Sequence, residues 1–177
     1  MSRKLKIVVT GAESTGKSTL TEGLAKHFNG KVIPELARGY IENIHRNYTI
    51  EDLQLIARMQ IEAEKEAANE SLVFFDTWLI ITKVWFDFVY GTHPEWLNQA
   101  IKSSTIDLFL LCDTDIPWIA DPVRENGGEN REKLQTIYKN ELNKYGFRYS
   151  TISGEGEQRI ENAIKIIEAY LNETDRL

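Results

Sequence analysis

The chain has little of what membrane or secreted proteins need. It contains a single cysteine, Cys112, which excludes a disulfide framework and a cysteine-rich zinc site. No apolar run approaches the roughly 18 residues of a membrane span. The N-terminal segment MSRKLKIVVTG lacks the small-residue cleavage site of a signal peptide. These absences predict a cytoplasmic protein that has no membrane contact, with Cys112 as a small buried hydrophobe.

An excess of basic charge is also missing. The 21 Lys and Arg residues stand against 27 Asp and Glu residues, which gives a net charge of −6. Because a nucleic-acid groove needs clustered Lys and Arg, this balance predicts no nucleic-acid partner, but it leaves room for a local nucleotide site. The 177 residues contain no obvious linker, and we expect one domain over residues 1–177.

Short apolar runs alternate with longer amphipathic stretches along the whole chain. Strands are predicted at residues 5–10, 31–33, 72–75, 108–112 and 149–152. Helical spacing is found between them, notably over 17–28, from the expected N-cap Thr49 to about residue 69, over 132–145 and over 157–171. This alternation predicts an α/β fold with a mostly parallel sheet that is covered by helices on both faces.

The segment after the first predicted strand carries the strongest motif. Residues 11–18 read GAESTGKS and match G-x-x-x-x-G-K-[ST], the phosphate-binding loop. Its glycines permit backbone angles that turn successive N–H groups onto phosphate oxygens, and its lysine adds a positive charge over the β- and γ-phosphates. The predicted nucleotide contacts from this segment are Gly11, Glu13, Ser14, Thr15, Gly16, Lys17, Ser18 and Thr19.

A phosphate loop also requires an acidic anchor for Mg²⁺ at the end of another strand. Asp76 directly follows the LVFF run and is the preferred candidate, and Asp113 after LFLLC is the competitor. The Ser18 hydroxyl is the other expected ligand, so Ser18 and Asp76 form the predicted metal site. A strand-terminal Asp is also a common helix N-cap, which is the alternative interpretation of either residue.

The remaining signals favour a small-molecule kinase that uses ATP. GTP switches recognise guanine with N-K-x-D, whereas residues 143–146 read NKYG and lack the Asp. Residues 118–130 are rich in glycine and mixed charge, which predicts a lid between the fourth and fifth strands. Its Arg124 is expected to stabilise charge on the transferred phosphoryl group, and Arg131 to contact the nucleotide. The alternative is that both are solvated surface arginines.

The acceptor side is predicted at PELAR, directly after the second strand. Glu35 and Arg38 should lie at the carboxyl edge of the sheet, where ligands bind in open α/β folds, and their spacing places them on one helical face. Glu35 is suited to bind or deprotonate an acceptor hydroxyl, and Arg38 to hold a phosphoryl oxygen. The alternative is an exposed ion pair of little energetic value.

Five segments together resemble the NadR-type ribosylnicotinamide kinase domain of bacteria: GAESTGKSTL, PELARGY, FFDTWLIITKVW, LLCDTDIPWIADPVRE and KYGFRY. The resemblance spans roughly residues 5–153. It implies a three-layer nucleotide-kinase-like fold with sheet order 2-3-1-4-5, and ATP-dependent phosphorylation of nicotinamide riboside to the mononucleotide. The adenylyltransferase domain and the DNA-binding segment of complete NadR proteins are not expected here. In addition to the loop and metal residues, the resemblance implies that three residues belong to the substrate and lid region: Trp118, Asp121 and Arg124.

The charge of the predicted site independently favours a cationic acceptor. Acidic residues outnumber arginines around it, whereas a nucleoside monophosphate would bring about two negative charges. Nicotinamide riboside carries a positive pyridinium ring, which acidic and aromatic neighbours favour. The candidate aromatic platform consists of Trp78, Trp85 and Trp118, although core packing is the alternative for the first two.

Two other functions stay open from the sequence. One is a kinase for a different nucleoside or small metabolite, and the other is a phosphate-loop ATPase module that serves a partner protein. The catalytic residues are expected to be Lys17, Glu35, Asp76 and Arg124, without a choice between Glu35 and Asp76 as the base. The oligomeric state is also left open, including a homo-oligomer.

Overall fold

Parallel strands form the centre of the molecule. The structure, a computed structural model, describes residues 4–120 and 127–174, and within these ranges the chain forms five strands and seven helices. The strands are β1 (Leu5–Thr10), β2 (Lys31–Ile33), β3 (Leu72–Asp76), β4 (Leu108–Cys112) and β5 (Tyr149–Ile152). The helices are α1 (Lys17–Phe28), α2 (Leu36–Ile44), α3 (Ile50–Glu66), α4 (Leu79–Tyr90), α5 (Glu95–Lys102), α6 (Glu129–Lys144) and α7 (Gly156–Thr174). None of these helices has both the length and the apolar character to cross a bilayer.

The sheet has the order β2-β3-β1-β4-β5, and every neighbouring pair is parallel. This confirms the predicted topology. In the register, Val9 lies beside Asp76, and Thr10 lies beside Leu111. The three central strands therefore end at the same edge, and the segments that follow them are brought together there.

The central strands are buried on both faces, which explains why their sequences are continuous apolar runs. Val8 and Phe75 face the cluster formed with α3, α4, α5 and α6, whereas Ile7 and Phe74 face α1 and α7. Cys112 has no exposed surface, and burial raises the pKa of its thiol to about 11. The expected three-layer α/β architecture and the buried cysteine are confirmed.

Helix α3 begins where the sequence predicts. Thr49 forms a capping box with Asp52, in which the Thr49 N–H donates to Asp52 Oδ2 at 2.7 Å. A 3₁₀ turn over Ala67–Asn69 completes the predicted helical stretch after α3 ends at Glu66.

Two helices differ from their predicted form. Helix α6 begins at Glu129 rather than at residue 132, so that Arg131 lies in its first turn. Helix α7 extends over Gly156–Thr174 rather than 157–171, and its buried residues are Arg159, Ala163, Ile167 and Tyr170. Ile160, Ile164 and Leu171 are only partly buried. A buried Arg159 is possible because its guanidinium is surrounded by backbone carbonyls.

Candidate active site

A cavity of about 750 Å³ lies at the carboxyl edge of the sheet. The phosphate loop forms one part of its wall, and every loop residue predicted to contact nucleotide, from Gly11 and Glu13 to Thr19, lines it. Glu35 and Arg38 line it as well. The structure thus brings the predicted loop residues, Glu35 and Arg38 to one cavity.

The loop has the backbone conformation that its motif requires. Gly11 has φ 138°, and a Cβ atom there would lie 2.8 Å from the Cys112 carbonyl oxygen, so only glycine fits. Gly16 has φ 76° directly before α1. Ser14 has φ 57° although it is not glycine, and its hydroxyl accepts a bond of 2.8 Å from the Ile119 N–H. The loop is therefore attached to the segment that follows β4.

Lys17, Ser18 and Asp76 lie together at the start of α1. The Lys17 ammonium donates to the Ala12 carbonyl at 2.8 Å, and the Ser18 hydroxyl is close enough to the Asp76 carboxyl to lower the pKa of that group. Asp76 is only 4% exposed, and burial raises the pKa of its carboxyl, against the opposing effects of Ser18 and Lys17. Asp76 Oδ1 is buried without a hydrogen-bond donor.

This orphaned oxygen beside a hydroxyl fits a hard divalent cation. Among the described residues there is no group of three or more His, Cys, Asp or Glu that would hold a metal alone. That suits Mg²⁺, which usually combines one or two protein oxygens with waters and substrate phosphates. The side chain of the competitor, Asp113, instead accepts a bond of 2.9 Å from the Thr114 N–H.

The residue after Asp76 is strained. Thr77 has φ 64°, which is unfavourable for a β-branched residue, and it lines the cavity. Its N–H donates to the Val9 carbonyl at 2.9 Å and so prolongs the pairing of β1 with β3 by one residue. Strain of this kind is typical of functional sites.

A carboxylate network organises the rim of the cavity beyond α2. Asp52 accepts hydrogen bonds from both Arg46 Nη atoms, at 2.6 and 2.9 Å, and from the Tyr40 hydroxyl at 2.7 Å. The Arg46 guanidinium, with Tyr40, holds the pKa of Asp52 far below its usual range. This network fixes the turn that carries Tyr48.

The other part of the wall is aromatic. The rings of Tyr48 and Trp85 meet edge to face with centroids 4.8 Å apart, and Trp85 Nε1 donates to the Tyr48 hydroxyl at 3.1 Å. Phe88 and Tyr90, which follow on α4, also line the cavity. The sequence singled out Trp85, but it gave no reason to choose Tyr48 or Arg46, because their place depends on the turn before α3.

The other predicted residues lie elsewhere. Trp78 is 1% exposed and packs in the core, and the ring of Trp118 lies against Gly127, outside the residues that line the cavity. Arg131 is buried behind the phosphate loop, where desolvation lowers its pKa. Asp121 and Arg124 lie outside the described residues.

The sheet order, the loop after β1 and the acidic end of β3 define a phosphate-loop domain of the nucleotide-kinase-like type. Residues 6–159 match the AAA_28 family, described as an AAA domain, and the chain belongs to that family.

Similarity to known proteins extends over nearly the whole chain. The trifunctional NAD biosynthesis/regulator protein NadR of Escherichia coli (strain K12) is 24% identical over 176 residues, covering 94% of this chain and 43% of NadR. The crystal structure of NadR protein in complex with NR has a TM-score of 0.77 at 24% identity, covering 94% of this chain and 50% of the other. Thymidylate kinase from Ehrlichia chaffeensis has a TM-score of 0.68 at 14% identity, covering 95% and 99%. The chain thus spans half or less of the NadR proteins that it matches.

Proposed function

We propose that this protein transfers the γ-phosphoryl group of ATP to nicotinamide riboside and produces nicotinamide mononucleotide. The observation that carries the proposal is the cavity that joins the phosphate loop to Glu35 and an aromatic wall. The similarity to NadR, one structure of which is described as a complex with NR, supports the choice of acceptor.

The phosphate loop accounts for the binding of ATP in the proposed reaction. Its N–H groups and the N-terminus of α1 hold the phosphates, and the Lys17 ammonium moves from the Ala12 carbonyl to the phosphate oxygens. Ser18 and Asp76 would hold Mg²⁺, which would supply positive charge to the triphosphate. Asp76 must be ionised for this role, so its raised pKa makes metal binding weaken as the pH falls.

The acceptor side follows from charge and shape. Glu35 orients the ribose hydroxyl that attacks and is suited to accept its proton. The aromatic wall of Tyr48 and Trp85 offers electron-rich surfaces for the pyridinium ring. The arginines at this side each have a carboxylate partner, Arg38 with Glu42 and Arg46 with Asp52, which reduces the attraction for an acceptor that already carries a phosphate.

The test is product identity. The purified protein is incubated with ATP, Mg²⁺ and, one at a time, nicotinamide riboside, thymidine, deoxyadenosine, adenosine and cytidine, and the products are weighed by mass spectrometry. We expect the mononucleotide only with nicotinamide riboside, and no product with the Lys17→Ala variant. Phosphorylation of another nucleoside alone would contradict the choice of acceptor.

A kinase for another nucleoside is the second candidate, favoured by the side-chain amide of Gln60. This residue lines the cavity, and its Oε1 accepts a bond of 2.7 Å from the Thr82 hydroxyl. An amide fixed in this way is suited to hydrogen-bond the edge of a nucleobase. The third outcome, ADP and free phosphate without a phosphorylated acceptor, would indicate an ATPase module instead.

A further inference from the structure

Two buried arginines lie behind the phosphate loop, on the side that faces away from the cavity. Arg131 comes from the first turn of α6 and is 6% exposed, and Arg159 comes from the first turn of α7 and is 4% exposed. Neither lines the cavity. Because a buried guanidinium is costly unless its N–H groups have acceptors, the partners of these two side chains are informative.

The partners are the backbone carbonyls of three consecutive loop residues. Arg131 donates from Nε to the Glu13 carbonyl at 3.1 Å and from Nη2 to the Ser14 carbonyl at 2.9 Å. Arg159 donates from Nη1 to the Thr15 carbonyl at 3.1 Å. Two side chains from separate helices therefore hold adjacent peptide groups of one loop.

The same guanidinium groups are anchored to the rest of the fold. Arg131 Nη1 donates to the Ile116 carbonyl at 2.8 Å, in the segment after β4. Arg159 Nε donates to the Gly154 carbonyl at 2.7 Å, after β5, and its Nη2 forms an ion pair with Asp115. Each arginine thus connects the loop to a segment that the sheet fixes.

The consequence for the loop follows from peptide geometry. In a trans peptide the C=O of one residue and the N–H of the next point in opposite directions, and the described residues contain no cis bond. With the carbonyls of residues 13–15 held outward by guanidinium groups, the N–H groups of residues 14–16 turn toward the cavity. These are donors of the kind that a phosphate loop presents to its ligand.

We infer that Arg131 and Arg159 are positioning residues that orient the phosphate-binding N–H groups before the nucleotide arrives. The inference rests on the proposed function in one respect, namely that the ligand of the loop is the phosphate chain of ATP. Donors oriented in advance need no reorganisation when the ligand binds, and that is the source of their value.

The first test uses the unmodified protein without nucleotide. Backbone ¹⁵N relaxation should give order parameters of about 0.85 for residues 14–16, equal to those of β1, whereas a flexible loop lies below about 0.6. Values in the flexible range would overturn the inference. This measurement decides the matter even if the arginine variants fail to fold.

The second test uses Arg131→Gln and Arg159→Gln, since a single amide cannot span the carbonyls that each guanidinium connects. We expect the dissociation constants for ATP and ADP to rise about tenfold or more, with lower order parameters at residues 14–16 and unchanged values in β1. Arg148→Gln is the matched control, because this exposed arginine pairs with Glu173 far along α7 and should leave both constants within about twofold. Nucleotide affinity within twofold of the unmodified protein in folded Arg131 and Arg159 variants would overturn the inference.

Lysine variants at the same positions separate charge from geometry. Lysine restores the positive charge but not the planar fork, so Arg131→Lys and Arg159→Lys should remain defective. Full recovery would show that charge alone matters and would overturn the positioning role. ATP binding without phosphorylation of any acceptor would refute only the proposed function, whereas no ATP binding at all would refute both.

Discussion

The two sides of the cavity are built in different ways. The phosphate side is one continuous segment, residues 11–19, whose backbone groups face the ligand and whose carbonyls are held from behind by buried side chains. The acceptor side is assembled from side chains of α2, α4 and the turn at Tyr48, with Phe88 and Val89 nearly half exposed at its rim. A backbone site suits the phosphate chain, which is the same in every nucleoside triphosphate. A side-chain site can be altered one residue at a time, and we therefore propose that acceptor choice resides there.

If this contrast is correct, the largest loss of activity comes from the phosphate side. Lys17→Ala should lower turnover about a thousandfold or more, because it removes the charge that stabilises the transferred phosphoryl group. The thermal midpoint should change little, since the Lys17 ammonium bonds only one loop carbonyl in the described structure. Activity and thermal unfolding are measured on the same sample, with Lys26→Ala, an exposed residue of α1, as the control. Near-normal turnover of the Lys17 variant would contradict the assignment of residues 11–18 as a phosphate-binding loop.

Asp76→Asn should lower turnover about a hundredfold by weakening the metal site. Excess Mg²⁺ or Mn²⁺ should restore part of the loss. Asp113→Asn is the matched comparison, and a larger loss there would move the metal site to β4.

The same variant has a predicted effect on stability. Burial raises the pKa of Asp76, so at neutral pH the folded state pays to keep this carboxylate ionised. Asparagine removes that cost, and we expect the metal-free variant to unfold at the same temperature as the unmodified protein or a higher one at pH 7. The difference should disappear below about pH 3.9, where the carboxyl is protonated in both states. Calorimetry at several pH values checks the sign.

Glu35→Gln should act on the acceptor side alone. We expect acceptor turnover to fall about tenfold to a hundredfold, because the amide still accepts a hydrogen bond but no longer accepts the proton. The dissociation constant for ATP should stay within about twofold. Glu62→Gln, at an exposed position of α3 outside the residues that line the cavity, is the control. Loss of ATP binding in the Glu35 variant would mean that the two sides of the cavity are not separable in this way.

The smallest effect concerns the tryptophans. Trp85→Leu keeps apolar volume but removes the aromatic face, and contacts between a cation and an aromatic ring are worth about 0.5–2 kcal/mol. The Michaelis constant for the acceptor should therefore rise from several-fold to about thirtyfold, and that for ATP should not. Trp118→Ala, measured in parallel, tests the assignment made from sequence. A loss of acceptor affinity there and none at Trp85 would transfer the aromatic platform to Trp118.

The local sequence is sufficient to predict most of the phosphate side of the cavity. The strand, the loop and α1 are consecutive, and Asp76 is identified because a charged residue ends an apolar run. The acceptor wall could not be derived in the same way. The position of Tyr48 depends on Asp52, which binds Arg46 and Tyr40 across two helices, and no local pattern records those contacts.

The buried arginines were within reach of sequence analysis. Arg159 precedes Ala163 and Ile167 at intervals of four, and Arg131 shares a helical face with Leu134, Tyr138 and Leu142. A charged residue in register with an apolar face is a signal of a buried group with polar partners.

The first glycine of the phosphate loop, Gly11, determines how natural variants at this position should affect protein abundance. Any side chain at Gly11 would collide with the Cys112 carbonyl at the end of β4. A variant at this position should therefore lower the amount of folded protein, whether or not nucleotide is present. Gly16 differs, since a Cβ there would meet only Ile116 at an ordinary 3.6 Å and the difficulty is its φ angle. Asparagine, which tolerates this conformation, would keep protein abundance at position 16 and not at position 11. The two glycines of one motif are thus required for different reasons, Gly11 because a side chain would collide with β4 and Gly16 because of its backbone conformation.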